Sequence, residues 1–189
     1  MNIRLILIAF VAIIALIFVS CAIYTVRETD TVILTQFGRP VGDPISEPGL
    51  HWKTPFVQEV HRFEKRVFEF DRPSTEMPTK EKTYISVDTF GRWRIKDASA
   101  FFVALRDERS AISRLEDVIG SEVRAAVASN ELIEIVRSDK NRVLPLDVQK
   151  QAQTTTVLPN AKRGRLEIEK DILAAAAPKL LPLGIELLD

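Results

Sequence analysis

The twenty residues from Leu5 to Tyr24 carry no charged side chain, whereas Arg4 precedes them and Arg27 follows them. At about 1.5 Å of rise per residue, a helix of this length is roughly 30 Å long, which matches the hydrocarbon thickness of a bilayer. Such a helix also satisfies its own backbone hydrogen bonds in lipid. The segment therefore predicts a single transmembrane helix, and we expect the rest of the chain to be tethered to a membrane.

A cleaved secretory signal is the alternative interpretation of this segment. Cleaved signals usually have an apolar core of about 7 to 15 residues before an A-x-A-like site. The sequence Ser20-Cys21-Ala22 resembles such a site poorly, and Phe18 to Cys21 resembles a lipoprotein signal with Phe in place of an aliphatic residue. We favour the uncleaved anchor. Cys21 is the only cysteine, so the chain cannot form an internal disulfide.

The charges near the span predict its orientation. Arg4 and the N-terminal amine precede the span, and the first charges after it are mixed in sign, so the positive-inside tendency places the N-terminus in the cytoplasm. The remaining residues, about 165, suffice for one domain or two small ones. Across the chain 26 basic residues balance 26 acidic ones without a dense basic run, which argues against a nucleic-acid partner.

β-branched and aromatic residues dominate the first stretch after the span and predict strands. The segment Val41–Pro55 is rich in Pro and Gly, which predicts an ordered loop or a sheet edge. The clearest period of two lies at Thr83–Ile95, where Trp93 falls on the packed face and Asp88 on the wet one. The predicted strands are Thr31–Phe37, Val57–Phe63, Val67–Phe70 and Thr83–Ile95.

The second half of the chain reads as helices followed by a strand. Asp97 is a predicted N-cap, and a stripe of apolar residues at intervals of three and four marks Ser110–Ala128 as a long helix. Pro145–Ala161 is expected to be mobile. The other predicted helices are Phe101–Leu105, Glu131–Val136 with Asn130 as its cap, and one from about Arg163 that Pro178 and Pro182 bend or end. Gly184 is a predicted C-cap before a strand that starts at Ile185.

These elements predict an α+β fold with three parts. Residues 1–25 form the anchor, residues 26–96 a β-rich subdomain, and residues 97–189 a helical α/β subdomain. Because the chain stops early in its last strand, we expect this second subdomain to be incomplete at the C-terminus.

A family resemblance becomes visible at Glu47–Phe56. Its sequence, E-P-G-L-H-W-K-T-P-F, resembles the E-P-G-L-H-x-x-x-P-F signature of the stomatin, prohibitin, flotillin and HflK/HflC superfamily (SPFH, Band 7), and the HflC branch most closely. Similar pieces occur in the family's order at Val26–Glu28, Thr35–Pro40, Pro78–Lys82 and Trp93–Ile95. The similarity extends to Gly184-Ile185-Glu186 and so covers essentially the whole chain. Each motif is weak alone, but their order and spacing are specific.

The resemblance implies a fold and a set of partners. It implies a transmembrane helix followed by an SPFH/Band 7-like domain, with a β-rich first half and an α/β second half. It also implies a hetero-oligomeric scaffold with an HflK-like paralogue that controls access to an FtsH-like membrane protease. The location implied is the bacterial inner membrane, with the domain on the periplasmic side. Family members continue into a further strand and a long charged helix that this sequence lacks.

Three apolar residues of the signature form the candidate membrane interface: Leu50, Trp52 and Phe56. Trp prefers the headgroup zone of a bilayer, and the prolines on either side of this loop prevent regular strand pairing. The loop is therefore predicted to dip into the outer face of the membrane, as the resemblance also implies. The alternative, that these side chains fill the small β core, stays open from sequence.

The sequence offers little to support catalysis. His51 and His61 are the only histidines, Cys21 lies in the predicted span, and no nucleophile-elbow, zinc-protease or phosphate-loop motif occurs. The carboxylate pairs Glu64/Glu69 and Glu131/Glu134 are expected on a solvated surface, and Asp88 could seat an arginine of a partner. We predict a non-enzyme with no catalytic, cofactor or metal residues and no small-molecule substrate. A membrane-bound hydrolase is the alternative.

Overall fold

The computed structural model of the chain describes residues 3–138 and 161–189. For residues 3–6, 8 and 9 it describes the backbone only. The predicted mobile stretch Pro145–Ala161 lies outside the described residues except for its last one. The chain divides into two compact units that are discontinuous in sequence. The first comprises Met1–Val67, Arg94–Arg106 and Leu183–Ile185, and the second comprises Phe68–Trp93, Asp107–Pro182 and Glu186–Asp189. The three predicted domain ranges stay a prediction.

The described elements begin with a helix and continue as strands, helices and a final strand, so the mixed α/β content expected from sequence is confirmed. Their bounds are α1 Ile3–Ala22, β1 Ile23–Val26, β2 Asp30–Gln36, β3 Arg39–Pro40, β4 Gly49–Trp52, β5 Gln58–Glu64, β6 Phe68–Pro78, β7 Tyr84–Ile95, α2 Ala98–Ala104, α3 Glu108–Ser129, α4 Leu132–Val136, α5 Arg165–Leu180, a 3-10 turn Leu181–Leu183, and β8 Ile185–Leu187.

The first unit contains two small antiparallel sheets. One has the strand order β3–β2–β5, and the other is the two-stranded ribbon of β1 and β4. Tyr24, Val26 and Val32 are buried together where the ribbon meets β2. Helix α2 packs through the fully buried Phe101, whose ring centroid lies 5.4 Å from that of Phe63 on β5. Burial of these aromatic rings, together with the buried aliphatic residues, stabilises this unit.

Helix α1 contains 20 residues, and its large apolar side chains from residue 10 to residue 19 are about half exposed or more. The helix ends at Ala22, two residues before the predicted end of the span, and Ile23 and Tyr24 already belong to β1. Within residues 3–138 and 161–189, no helix meets the length and hydropathy expected of a membrane-crossing segment. The transmembrane assignment of Leu5–Tyr24 therefore stays a prediction.

In the second unit, β6, β7 and β8 form an antiparallel ladder in that order, and α3 contacts both β6 and α5. The period of two predicted for β7 is confirmed, because Gly91 and Trp93 are buried while Asp88, Phe90 and Arg92 on the other face are exposed. The Trp93 ring stacks on Phe68 at a centroid distance of 4.8 Å. One face of the strand is thus packed and the other is open to solvent.

The helix caps agree only in part with the prediction. Asp97 is the N-cap of α2 as expected, and its carboxylate accepts hydrogen bonds from the backbone N–H groups of Ser99 and Ala100. The predicted cap role of Asn130 is wrong, because its side-chain amide donates to the Ala126 carbonyl oxygen at the end of α3. An asparagine amide can accept from the N–H groups of the helix that follows it or donate to the carbonyl groups of the helix that precedes it. Here it donates to the preceding helix, α3.

Prolines interrupt the second unit less than the sequence predicted. β6 continues to Pro78 rather than ending at Phe70, because a one-residue irregularity between Arg72 and Thr75 absorbs Pro73. Helix α5 includes Pro178 and runs on to Leu180. A bulge tolerates the missing N–H donor of proline, which explains the first difference. In α5, Pro178 removes one intrahelical hydrogen bond near the helix end, while the N–H of Leu181 still donates to the Ala177 carbonyl oxygen.

The backbone of Gly184 links the C-terminal part of the chain to the segment that precedes α2. Its carbonyl oxygen accepts from the N–H groups of Lys96 at 2.8 Å and Asp97 at 3.2 Å. Its φ is +77°, and a Cβ at this position would overlap the carbonyl oxygen of Asp97 and the amide nitrogen of Phe101. Glycine is therefore required both for the left-handed conformation and for the close approach of the two backbones.

Glu134 is a buried carboxylate that the sequence did not distinguish from solvated ones. Its side-chain oxygens accept hydrogen bonds from three consecutive backbone N–H groups, those of Lys162, Arg163 and Gly164, at 2.5 to 2.9 Å. Burial raises the pKa of Glu134, but the three hydrogen bonds together outweigh burial and lower it. The expectation that this glutamate lies on a solvated surface is therefore wrong. It fixes the segment just before α5 to α4.

Replacing Glu134 with glutamine should destabilise the protein by about 1–3 kcal/mol at neutral pH, since an amide offers the three donors only one acceptor atom. The folded-state pKa is lowered, so this contribution is present above the pH at which a free glutamate titrates. It is lost as the pH falls through the lowered pKa. Denaturant unfolding of the wild type and Glu134→Gln over an acid-to-neutral pH series should show their stability difference shrinking in acid.

Glu131→Gln is the matched control, because Glu131 is half exposed and its nearest cation, Lys80, is 3.8 Å away. That variant should change stability little at any pH. A pH-independent difference between the wild type and Glu134→Gln would contradict the assigned role of the Glu134 charge.

Candidate membrane-interface surface

The signature segment is fixed directly to the end of α1. β4 pairs antiparallel with β1 in the register Ile23 opposite Trp52 and Tyr24 opposite His51. The N–H of Lys53 donates to the carbonyl oxygen of Ala22, the last residue of α1, at 2.8 Å. Because this carbonyl would otherwise lack an intrahelical partner, the bond links the helix end to the ribbon. The loop after β4 therefore lies beside the C-terminal end of α1.

The two faces of β4 have different surroundings. His51 faces the core, where its ring stacks on the buried Tyr24 at 5.8 Å and its Nε2 donates to the Glu47 carbonyl oxygen at 2.9 Å. Leu50 and Trp52 project from the opposite face and are 72% and 68% exposed. The alternative that these two residues fill the β core does not apply, since alternation along the strand turns them outward.

Phe56 is held outward by its backbone. It has a φ of +66° and is 84% exposed, and its ring centroid lies 6.2 Å from that of Phe18 in α1. The turn is closed on both sides by Gln58, whose N–H donates to the Thr54 carbonyl oxygen and whose side chain accepts from the Thr54 N–H. A left-handed conformation costs a non-glycine residue about 1 kcal/mol. Folding alone gives no reason to keep an aromatic residue here.

Phe37 is a fourth exposed apolar residue that the sequence analysis missed. It was predicted as the end of a strand, but β2 ends at Gln36 and Phe37 lies in the following turn with a φ of +50° and 86% exposure. Gln36 pairs with Gln58, so this turn and the loop that carries Phe56 lie at the same end of the β2–β5 ladder. The signal available in the sequence was Gly38, which indicates a turn directly after an aromatic residue.

Four exposed apolar residues form what we call the apolar rim: Leu50, Trp52, Phe56 and Phe37. The first three lie on or directly after the strand that is bonded to the end of α1, and Phe37 lies at the same end of the β2–β5 ladder as the loop that carries Phe56. Apolar residues exposed singly are common on protein surfaces, but contiguous apolar groups mark binding sites for proteins or membranes. Two of the four members, Phe37 and Phe56, also have left-handed backbones, which are unfavourable for a phenylalanine. Aromatic rings beside an exposed apolar helix suit the headgroup zone of a bilayer. Whether the apolar rim contacts a membrane stays a prediction.

The side chains considered for catalysis are dispersed or already bonded. His61 contacts Thr35 through Nε2 at 3.1 Å and packs on the Phe102 ring at 4.7 Å, so it serves the core of the first unit. Glu64 accepts from Arg66. A cleft of about 240 Å³ in the same unit is lined by Thr31, Ser46, Glu64 and six other residues, with no histidine or cysteine among them. Within the described residues, no three His, Cys, Asp or Glu side chains cluster as metal ligands would.

Comparison with known proteins gives consistent similarities. A family model described as "SPFH domain / Band 7 family" matches residues 24–189. Protein HflC of Treponema pallidum (strain Nichols) is 32% identical over 178 residues, which cover 88% of this chain and 53% of that protein. Protein HflC of Borreliella burgdorferi is 29% identical over 172 residues, with coverage of 88% and 53%.

A further relative carries a functional name. "Modulator of FtsH protease HflC" of Escherichia coli (strain K12) is 29% identical over 146 residues, which cover 74% of this chain and 43% of that protein. The chain thus spans about half the length of the curated relatives it matches.

Substituting Phe56 by glycine should leave the free energy of unfolding unchanged or raise it by up to about 1 kcal/mol. The substitution removes left-handed strain and an exposed ring, and the greater freedom of glycine in the unfolded chain offsets part of this gain. Phe101→Ala, which removes a fully buried ring, should cost about 3–5 kcal/mol in the same denaturant titration. A loss of more than 2 kcal/mol in Phe56→Gly would mean that Phe56 supports the fold.

Proposed function

This chain belongs to the SPFH domain / Band 7 family, and we propose that it is a membrane-anchored, non-catalytic scaffold that regulates an FtsH-like membrane protease. The family expected from the order of the sequence motifs is confirmed. A regulatory role is supported by the relative named as a modulator of FtsH protease. The chain spans about half the length of such relatives. We therefore propose, by similarity, that it shares the activity and partners of the whole proteins.

We propose that α1 is the membrane anchor, with the N-terminus in the cytoplasm and the two units on the periplasmic side of a bacterial inner membrane. The support is the uncharged run from Leu5 to Tyr24, the position of Arg4 before it, and the exposed apolar side chains along α1. Exposed apolar surface of this extent is unfavourable in water and favourable in lipid.

The observation that carries the proposal is the apolar rim. Trp52 and Phe56 are exposed beside the end of α1, and Phe56 contacts Phe18 of that helix. If α1 crosses a bilayer, the apolar rim lies at the level of the headgroups. We propose that it rests in the outer leaflet and holds the domain against the membrane surface, where a protease partner would be met.

A membrane-bound hydrolase is the competing function. Its support is weak, since the relative's name is that of a protease modulator and the described histidines are engaged in packing and hydrogen bonds. A serine-reactive probe distinguishes the two functions. Labelling of the purified chain that disappears on mutation of a single serine would favour the hydrolase.

Trp52 provides a direct test of membrane contact. The chain has two tryptophans, and the other one, Trp93, is 1% exposed. In the Trp93→Phe variant, reconstituted in bilayers with brominated acyl chains, Trp52 fluorescence should be strongly quenched and blue-shifted. In Trp52→Phe, the buried Trp93 should be quenched far less. Water-like emission of Trp52 without quenching would exclude its place in the membrane.

Co-purification tests the proposed partners. Full-length chain extracted in mild detergent should recover an FtsH-like protease and an HflK-like paralogue. Deletion of Leu5–Cys21, which spares β1 and the bond between Lys53 and Ala22, should abolish recovery of both, because the partners meet this chain at the membrane. The Trp93→Phe variant, which leaves α1 and the apolar rim unchanged, is the control and should retain both partners. Recovery of neither partner with the wild type would contradict the scaffold.

A further inference from the structure

Two basic residues flank the apolar rim. Arg39 begins β3 directly after the tight turn that carries Phe37, and its side chain is exposed. Lys53 follows Trp52 in the chain and is partly exposed. Its backbone N–H donates to the Ala22 carbonyl oxygen, which fixes this part of the chain to the end of α1. Each cation therefore lies beside an aromatic residue of the apolar rim.

Strand pairing shows to which side of the β3–β2–β5 sheet Arg39 projects. Residues opposite each other in an antiparallel ladder project to the same side, as do residues two apart in one strand. Arg39 is opposite Gln36, which lies two residues beyond Leu34 in β2. Leu34 packs on the buried cluster formed by the β1–β4 ribbon and β2. Arg39 therefore projects to the side of the sheet on which the ribbon lies.

A carboxylate at the same end of the ladder projects to the other side. Glu59 is opposite Thr35, the residue before Gln36 in β2, so alternation places it on the opposite side from Arg39. Its carboxylate lies 3.9 Å from Nε2 of His61, whose ring packs on α2. Glu59 therefore lies on the α2 side of the sheet, away from Arg39.

The charges of Arg39 and Lys53 are available to a ligand outside the chain. Within residues 3–138 and 161–189, neither side chain forms an ion pair or a hydrogen bond. The chain as a whole, with 26 basic and 26 acidic residues, has no net attraction for an anionic surface. A preference for such a surface must therefore come from a local group of cations such as this one.

Cations next to exposed aromatic rings match the chemistry of a phospholipid. Aromatic side chains favour the headgroup zone of a bilayer, and apolar ones favour the acyl chains below it. Guanidinium and ammonium groups bind phosphate oxygens, while their aliphatic stems extend along apolar surface. A surface that combines both kinds of group binds most strongly to lipids with a net negative charge.

We propose that the apolar rim, together with Arg39 and Lys53, selects anionic phospholipids from the bilayer. The apolar side chains enter among the acyl chains, and the two cations bind the headgroup phosphates. Each Lys or Arg near an anionic surface strengthens the attraction about fivefold, so the pair should prefer an anionic over a zwitterionic lipid at least about fivefold. This inference rests on the membrane contact in the proposed function and adds the class of lipid.

Trp52 reports on the lipid that lies beside it. The full chain carrying Trp93→Phe is reconstituted in bilayers of equal parts phosphatidylglycerol and phosphatidylcholine, with brominated acyl chains on only one of the two lipids. Quenching of Trp52 should be stronger when the anionic lipid is brominated, with a ratio of binding constants of at least about five. Added salt should lower this ratio toward one.

Arg39→Gln/Lys53→Gln should bring the ratio close to one, because this variant lacks both cations. With both lipids brominated, its Trp52 should still be quenched as in the parent, since the apolar residues are unchanged. Arg62→Gln is the matched control and should keep the parent ratio. Arg62 is exposed on the same side of β5 as Gln58 but four residues, about 13 Å, along the strand. This exceeds the roughly 8 Å over which charges interact at physiological salt.

Folding of every variant is checked by circular dichroism. If Trp93→Phe does not fold, the signal of Trp52 is obtained as the difference between the wild type and Trp52→Phe in the same bilayers. The ratio of quenching by the two lipids is then measured on chains that keep the buried Trp93.

The outcomes separate the lipid preference from the proposed function. Equal quenching of Trp52 by the two lipids would overturn the preference and leave the proposed membrane contact intact. A ratio that Arg39→Gln/Lys53→Gln leaves unchanged would also overturn it. Absence of quenching by either lipid would instead reject the membrane contact itself, and the inference with it.

Discussion

The direct passage from α1 into β1 is the constraint on which the end of the first unit that carries the apolar rim depends. The helix ends at Ala22 and the strand begins at Ile23, with no linker between them. The hydrogen bond from Lys53 to Ala22 then attaches β4 to the helix end. Any rotation of the ribbon about the helix would break this bond and the pairing that follows it. The direction in which Trp52 projects is therefore set by α1 rather than by a flexible tether.

Exposure of aromatic residues has a backbone cost in this protein. Phe37 and Phe56 both occupy the left-handed region, where asparagine or glycine would be more favourable. Neither ring contributes to a core that would offset this cost, since both are more than four-fifths exposed. Local strain at an exposed residue is common where function rather than stability determines the side chain.

Much of the secondary structure was predictable from sequence, whereas several decisive contacts were not. Regular periodicity placed β7 and α3 within a few residues, since burial of one face dominates both elements. The role of Glu134 was not predictable, because its three donors come from a segment that follows much later in the chain. Phe37 was assigned to a strand because aromatic residues favour strands, and this propensity contains no information about a left-handed turn.

The hydrogen bonds of Gly184 affect the order in which the chain folds during its synthesis. Its carbonyl oxygen bonds to Lys96 and Asp97, although the long helical region of the second unit lies between them in sequence. Contacts of such sequence separation raise the contact order and slow folding. On a ribosome, the first unit cannot complete its backbone hydrogen bonds until Gly184 has emerged, by which time α1 has long been available for insertion. If α1 is the proposed membrane anchor, membrane targeting would thus precede completion of the first unit, and the growing chain would finish folding at the bilayer.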